Sequence, residues 1–183
     1  WRDIGIKQIY ICPDVNYGCA VHADKWIPVL PNTDAALQLA IAYTWIDEDT
    51  YDKDYVENRT VGFDEFKKYV LGEEDGQPKT PEWAAAESAI PARKIRSLAR
   101  EWAAKNTVLA AGTRGGEGGA CRTAFGTEWA RLMVLLQAMQ GLGKSGNTIW
   151  GTAMGAPADT SYYVPGYADL DTRMAITRAA RTK

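Results

Sequence analysis

The sequence predicts an α/β fold, a mainly parallel sheet layered with flanking helices, and three observations predict it. Short β-rich apolar runs alternate along the chain with longer segments of helical period. Each apolar run ends in residues of turn chemistry: Cys12-Pro13-Asp14 after the first, Pro31-Asn32-Thr33-Asp34 after the second, and a glycine-rich stretch from 112 to 119 after the third. Of 183 residues, 46% are hydrophobic and 24% charged, which suits one globular domain of ordinary size, or a slice of a larger one.

The elements follow in order. Residues 4–11 carry Ile4, Ile6, Ile9, Tyr10 and Ile11 and read as the first strand, stopped by Pro13. Residues 26–30 read as a second, shorter strand. Asn32 or Thr33 then caps a strongly apolar helix from 35 to about 47. The polar stretch 49–60 reads as one short helical turn plus loop. Residues 63–71 form a short helix with Phe63, Phe66, Tyr69 and Val70 on one side, and 72–79 are turn-rich. Thr80-Pro81-Glu82 is a helix start: a cap, a proline at the first position and an acid beside it. Residues 91–105 are the clearest helix, because Ile95, Leu98, Ala99 and Trp102 recur at helical spacing. Residues 107–111 are a third strand, delivering the chain into the glycine stretch. A long helix at 127–140 turns Leu132, Leu135, Leu136 and Met139 inward. The end, from 141 onward, has many Gly, Pro, Ala and Tyr residues and little period, and reads as extended. The expected division is a Rossmann-like domain over 1–150 and an extended segment over 151–183.

Composition excludes several function classes. With 21 Lys and Arg against 23 Asp and Glu, the net charge is −2 and no basic block stands out, so no nucleic-acid partner is expected. The longest apolar run, 132–139, is broken by Gln137 and falls far short of a membrane span. The chain opens on Trp1-Arg2-Asp3 with no signal peptide, as in the interior of a longer reading frame. Cys12, Cys19 and Cys121 are an odd set without C-x-x-C spacing, and His22 is the sole histidine. Neither a disulfide framework nor a zinc or iron–sulfur site is expected, and the thiols read as buried or half-buried. His22 precedes a strand and reads as structural.

In parallel sheets ligands sit at the carboxyl ends of strands. Three segments occupy such ends: 13–17, 32–34 and 112–119. Asp14 is either a turn former or the acid that accepts ribose hydroxyls. Thr33 and Asp34 either cap the helix or bind a polar ligand at its N-terminus, and the two roles are compatible. The Asp34 carboxylate can accept both the ring N–H and the exocyclic amino group of guanine. The glycine stretch is either a linker or a close backbone approach to a ligand supplying amide donors. Other motifs fail. Gly143-Lys144-Ser145 echoes a phosphate loop, but Ala138 stands where its first glycine belongs. Gly116-x-Gly118-x-x-Cys121 lacks the last glycine of the dinucleotide fingerprint. The acidic patches at 47–54 and 73–75 lack calcium-loop spacing and read as solvated loops.

From residue 9 to about 146 the chain carries eight ordered words. They are Pro13-Asp14 after a strand; Ala23-Asp24; Pro31-x-Thr33-Asp34-Ala35-Ala36-Leu37; Tyr51-Asp52-Lys53-Asp54-Tyr55-Val56; Thr60-Val61-Gly62-Phe63-Asp64; Thr80-Pro81-Glu82-Trp83-Ala84; Ile95-x-x-Leu98-Ala99-Arg100-Glu101; and Gln140-Gly141-Leu142-Gly143-Lys144-Ser145-Gly146. Together they resemble the interior of large subunits of the molybdopterin oxidoreductases, the dimethyl sulfoxide reductase family. Within it, Ile9-Tyr10-Ile11-Cys12-Pro13-Asp14-Val15-Asn16-Tyr17-Gly18 and His22-Ala23-Asp24-Lys25-Trp26-Ile27-Pro28 look most like the transhydroxylase-like members that act on hydroxylated aromatics.

The resemblance implies a slice of the domain that grips one molybdopterin guanine dinucleotide, with molybdenum or tungsten in the complete enzyme. By family position, Pro13, Asp14, Asn16 and Tyr17 line the nucleoside site, and Asn32, Thr33 and Asp34 bind the guanosine end. The glycine stretch, with Arg114 and Gly115, approaches the pterin or the substrate funnel. Family members often carry a histidine or polar motif there, where this chain has Gly116-Glu117-Gly118-Gly119, which fits a changed pocket. No metal ligand and no catalytic residue is identifiable in the chain, so the isolated chain is expected to be inactive. The implied partners are the remaining domains of the same large subunit and an iron–sulfur electron-transfer subunit. The implied compartment is the cytoplasm, or the periplasm if a Tat signal precedes the chain. Two other classes stay open: a self-sufficient nucleotide-binding domain, and a non-catalytic interaction module.

Overall fold

A computed structural model describes residues 2–110 and 123–150. The expectations for the glycine stretch with Arg114 and Gly115, for Cys121 and for the segment 151–183 lie outside the described residues.

The described chain runs β1 (Ile9–Ile11), α1 (Tyr17–His22), β2 (Lys25–Ile27), α2 (Asp34–Asp47), α3 (Lys53–Arg59), α4 (Phe63–Leu71), α5 (Pro81–Ser88), α6 (Ala92–Ala103), β3 (Val108–Ala110), α7 (Gly126–Met139) and β4 (Thr148–Trp150). It is an α/β arrangement, richer in helix than the sequence suggests. β1 pairs in parallel with β2, with Ile11 opposite Ile27, and β3 pairs in parallel with β4. The parallel sense matches expectation, but the strands form two separate two-stranded ladders among the described residues rather than one sheet.

The helix α2 explains this layout. It is apolar nearly all round, burying Leu37, Leu39, Ala40, Ile41, Ala42, Trp45 and Ile46. A helix apolar on every side must be enclosed on every side, and α4, α5, α6 and α7 pack against it. Trp45 is wholly buried; its indole N–H donates to the Ala99 carbonyl at 2.7 Å, and its ring meets Trp102 edge-on, centroids 5.3 Å apart. On α6 the expected inward face, Ile95, Leu98, Ala99 and Trp102, is buried. On α7, Leu132, Leu136 and Met139 are buried and Leu135 is half-buried.

Several boundaries differ from expectation for physical reasons. The first strand shrinks to Ile9–Ile11 because Arg2–Ile4 form a 3₁₀ turn and Gly5 has φ +79°, outside strand geometry. The second strand stops at Ile27 because Pro28 has no N–H to give a ladder. α1 was not expected. Asn16 starts it, its side-chain oxygen accepting the Cys19 N–H at 2.9 Å. α3 has seven residues rather than one turn, because Asp52 caps it by accepting from the Tyr55 N–H at 3.1 Å. The expected extended run from 141 begins instead with a tight turn and β4. Asn147 makes that turn: its side-chain oxygen accepts from the Thr107 N–H at 2.8 Å, and its amide nitrogen donates to the Gln140 carbonyl at 2.8 Å.

The loop between α4 and α5 closes over a buried cation. Gly72 ends α4 at φ +79°, where a Cβ would fall 2.4 Å from the Pro78 nitrogen. Lys79, only 2% exposed, donates its backbone N–H to Val70 and its ammonium to the Gln77 carbonyl at 2.6 Å. The ammonium also bonds Asp75 and lies 4.7 Å from the Tyr69 ring centroid and 5.6 Å from that of Trp83. Lys79→Ala removes the buried stem and strands the Gln77 carbonyl. The expected cost is about 3 kcal/mol, or a fall in Tm of roughly 6–12 °C for a chain of this size, read by calorimetry. A fall under about 2 °C would contradict the packing described.

Candidate functional site

The parallel register sends β1 and β2 out at the same end, so the segments that follow them leave the ladder side by side. The Cys12 N–H continues the pairing by donating to the Ile27 carbonyl at 3.3 Å, and the Trp26 indole N–H donates to the Cys12 carbonyl at 3.0 Å. Lys7 and Lys25 both bond Glu101 of α6, which fastens this ladder to the helical core. Two of the three expected strand-end segments, 13–17 and 32–34, are thereby brought to one end of one ladder. The third lies outside the described residues. Further along the chain, the Phe125 N–H donates to the Asn32 side-chain oxygen at 3.4 Å.

In the first segment Pro13, Asp14 and Tyr17 are exposed, Tyr17 by 84%. Asn16 is also exposed, but its side-chain oxygen is engaged as the α1 cap. His22, exposed in the last turn of α1, stands immediately before β2.

In the second segment Asn32 adopts φ +68°, a left-handed conformation that asparagine tolerates better than most residues. Thr33 occupies the N-cap position but does not cap with its side chain. Its hydroxyl donates back to the Leu30 carbonyl at 2.7 Å, alongside its own N–H at 3.2 Å. Asp34, the first residue of α2, is half-buried. Burial pushes its carboxyl above the ordinary 3.8, opposed by its own backbone N–H, the one donor it faces among the described residues. A carboxylate at this position satisfies the helix N-terminus electrostatically and repels a phosphate there. Among the described residues its oxygens meet no donor beyond that N–H, so the group the turn can hold is one that presents N–H or O–H groups.

Four ion-paired carboxylates away from this turn titrate in the opposite sense. Arg100 grips Glu48 through three contacts of 2.7–3.0 Å, Lys144 bonds Asp52, Arg96 bonds Glu82, and Lys25 and Lys7 bond Glu101. Each partner holds its carboxyl below the usual range. Their stabilisation is present above the ordinary values of 3.8 and 4.5 and is lost as pH falls through the lowered ones. Asp34 runs the other way: its stabilisation is fully present below 3.8 and lost as pH rises through its raised value. Asp34→Asn is therefore expected to gain stability relative to the parent as pH rises from 3.8 to neutrality, measured by urea unfolding at stepped pH. A difference constant with pH would contradict the burial of this carboxyl.

Sequence reasoning passed over one concavity. A polar cleft of about 290 Å³, bounded by Thr50, Asp52, Lys105, Asn106, Gln140 and Asn147, opens beside the C-terminal ends of α6 and α7. It lies at the far end of α2 from Asp34, roughly 21 Å along a 14-residue helix. Its Asp52 is committed to Lys144 and to the α3 cap. Nothing in the sequence pattern signals this cleft, because its walls come from helix ends remote in the chain. Among the described residues no three His, Cys, Asp or Glu gather as a metal site, and no helix is long and apolar enough to cross a membrane.

No family model matches the chain. Over 168 residues, 92% of its length, it is 53% identical to the pyrogallol hydroxytransferase large subunit of Pelobacter acidigallici, of which it spans 19%. It is 38% identical over 137 residues, 75% of the chain, to the trimethylamine-N-oxide reductase of Haemophilus influenzae, of which it spans 16%. It is 51% identical over 108 residues, 59% of the chain, to the dimethyl sulfoxide/trimethylamine N-oxide reductase of Rhodobacter capsulatus, of which it spans 13%. Acetylene hydratase from Pelobacter acetylenicus is similar in structure, with a TM-score of 0.67 and 28% identity over 80% of this chain and 19% of that one. The chain thus spans less than a fifth of the length of these relatives.

Proposed function

The chain belongs to the dimethyl sulfoxide reductase family of molybdopterin oxidoreductases, and from that premise we propose that residues 1–150 are the cofactor-binding domain that holds one molybdopterin guanine dinucleotide. One observation carries the reading: Asp34 is a half-buried carboxylate that faces no donor but its own backbone N–H among the described residues. Guanine offers two adjacent donors, the ring N–H and the exocyclic amino group, in the spacing a carboxylate accepts as a pair. Adenine presents no such pair. Asn32 and Thr33 shape the turn around the base. In this reading the exposed Asp14 accepts ribose hydroxyls, with Pro13, Asn16 and Tyr17 lining the nucleoside. Arg114 and Gly115, outside the described residues, would approach the pterin.

When bound, the cofactor with its molybdenum or tungsten supplies the redox chemistry, while this chain contributes binding and orientation. No residue of this chain is assigned as the metal's ligand. The complete enzyme is an oxidoreductase of the transhydroxylase-like class acting on hydroxylated aromatics. The 53% identity to the pyrogallol enzyme over most of the chain supports this over N-oxide reduction. Its partners are the remaining domains of the subunit and an iron–sulfur electron-transfer subunit; its compartment is the cytoplasm.

The test is a thermal titration of the 183-residue chain with GMP, GDP and ADP. A ligand that binds the folded state alone stabilises it by RT ln(1 + [L]/Kd). A guanine-selective rise in Tm is the expected result. An adenine-selective rise would replace this reading with that of a nicotinamide-type domain.

A further inference from the structure

We propose that the polar cleft at the C-terminal ends of α6 and α7 binds a phosphate group, free or as the monoester of a small molecule. The cleft, about 290 Å³, is walled by Thr50, Asp52, Lys105, Asn106, Gln140 and Asn147. Hydrogen bonds hold these walls together. The Asp52 N–H donates to the Met139 carbonyl at 2.7 Å, which seats the start of α3 on the end of α7. Asn147 joins the remaining walls, accepting the Thr107 N–H and donating to the Gln140 carbonyl, each at 2.8 Å. Gly146 packs so near Asn106 that a Cβ on it would fall 2.9 Å from the Asn106 Cβ.

The acceptors around the cleft are engaged. At the end of α7 the carbonyls of Gln137, Ala138, Met139 and Gln140 accept from Gln140, Gly141, Asp52 and Asn147 in turn. The Asp52 carboxylate takes the Tyr55 N–H and the Lys144 ammonium, so its charge is already balanced. The donors are not engaged. Gln140 is 9% exposed, and its Nε2 has no hydrogen-bond partner. A buried amide N–H without an acceptor is unfavourable, and an incoming oxygen relieves it. Among the described residues the Lys105 ammonium meets no carboxylate and the Asn106 side-chain amide no hydrogen-bond partner. Unengaged donors and one uncompensated cation select a ligand that carries acceptor oxygens and negative charge. The negative ends of α6 and α7 oppose an anion, so Lys105 is what admits one and binding is weak. The donors rise from the α2–α3 connection, from beyond α6 and from the end of α7. They surround a group from several sides, which suits the tetrahedral oxygens of phosphate better than the single plane of a carboxylate. At about 30 Å³ per water, the cleft also has room for the organic part of an ester. It lies at the far end of α2 from Asp34 and does not depend on the nucleotide reading.

The experiment titrates the 183-residue chain with inorganic phosphate and with glycerol phosphate at constant ionic strength, followed by amide NMR. Saturable shifts are expected at the amides of Lys105, Asn106 and Gln140, the Gln140 side chain included. The tighter of the two ligands tells free phosphate from ester. Lys105→Gln is expected to weaken binding about ten-fold, the loss of one charged hydrogen bond. Gln140→Leu, similar in size, is expected to weaken it as well; Lys105 is exposed, so its variant keeps the test sound if Gln140→Leu fails to fold. Asp34→Ala is expected to change nothing, and so is Lys68→Gln, which removes an exposed charge from α4. Four results would each overturn the proposal: no saturable shift with either ligand, unchanged affinity in Lys105→Gln, equal weakening in Lys68→Gln and Lys105→Gln, or shifts centred on the N-terminus of α2.

Discussion

Asp34→Ala is expected to weaken GDP binding by about 100-fold while leaving the weak affinity for ADP unchanged. The magnitude follows from the chemistry of the turn. Two hydrogen bonds to a charged acceptor contribute roughly 1.5 kcal/mol each at the low end of their range, and each 1.4 kcal/mol is a factor of ten. The fold is expected to survive, since the carboxylate's favourable place in the first turn of α2, worth about 0.3–1 kcal/mol, is opposed by its burial. Asp34→Asn is the sharper variant. It keeps the shape and one acceptor oxygen, but sets an amide N–H₂ against the exocyclic amino group of guanine, donor against donor. Titration calorimetry with both nucleotides reads the difference. If Asp34→Asn bound GDP as well as the parent does, the base would not lie on this carboxylate.

Trp45→Ala is expected to cost about 4 kcal/mol, the range for truncating a buried aromatic, and to lower Tm by roughly 8–16 °C. Trp45 ties α2 to α6 twice: its ring packs edge-on against Trp102 and its N–H donates to the Ala99 carbonyl. Trp45→Phe separates these contributions. It retains most of the ring and removes the indole hydrogen bond, for an expected cost of about 1–2 kcal/mol. Denaturant unfolding measures both. A cost under 1 kcal/mol for the alanine variant would contradict the docking of α2 on α6, and with it the placement of the Asp34 turn that α2 carries.

What was legible in the sequence is what neighbouring residues decide. α4, α5 and α6 lie within a residue or two of expectation because Gly72, Thr80-Pro81 and the Ile95-to-Trp102 face are local signals. α1 was illegible: six residues make under two turns, too short for any period, and its cap, Asn16, looked like a ligand contact. Strand limits were illegible for another reason. Ile4 and Ile6 have β-forming side chains, yet a strand exists only where a partner pairs with it, and pairing begins at Ile9 opposite Lys25. β4 pairs with β3 across some 40 residues, a relation carried by Asn147 reaching Thr107, which no local pattern announces. The burial of Lys79 is likewise set by loop closure rather than by its neighbours in sequence.

The candidate site divides along the same line. Asp34 at a helix start was readable from turn chemistry and from the family words around it. The backward turn of the Thr33 hydroxyl to Leu30 was not, because it depends on the path of the chain leaving β2. Nor was the tie from Asn32 to Phe125, which joins residues 93 apart.

The central claim is that the Asn32 to Asp34 turn holds a guanine base, and a crystal structure of the 183-residue chain with GDP tests it most directly. The account predicts the Asp34 carboxylate within hydrogen-bond distance, about 2.7–3.0 Å, of both the ring nitrogen and the exocyclic amino nitrogen, with the ribose toward Asp14. The diphosphate seated on the N-terminus of α2, or the base bound away from Asp34, would contradict it.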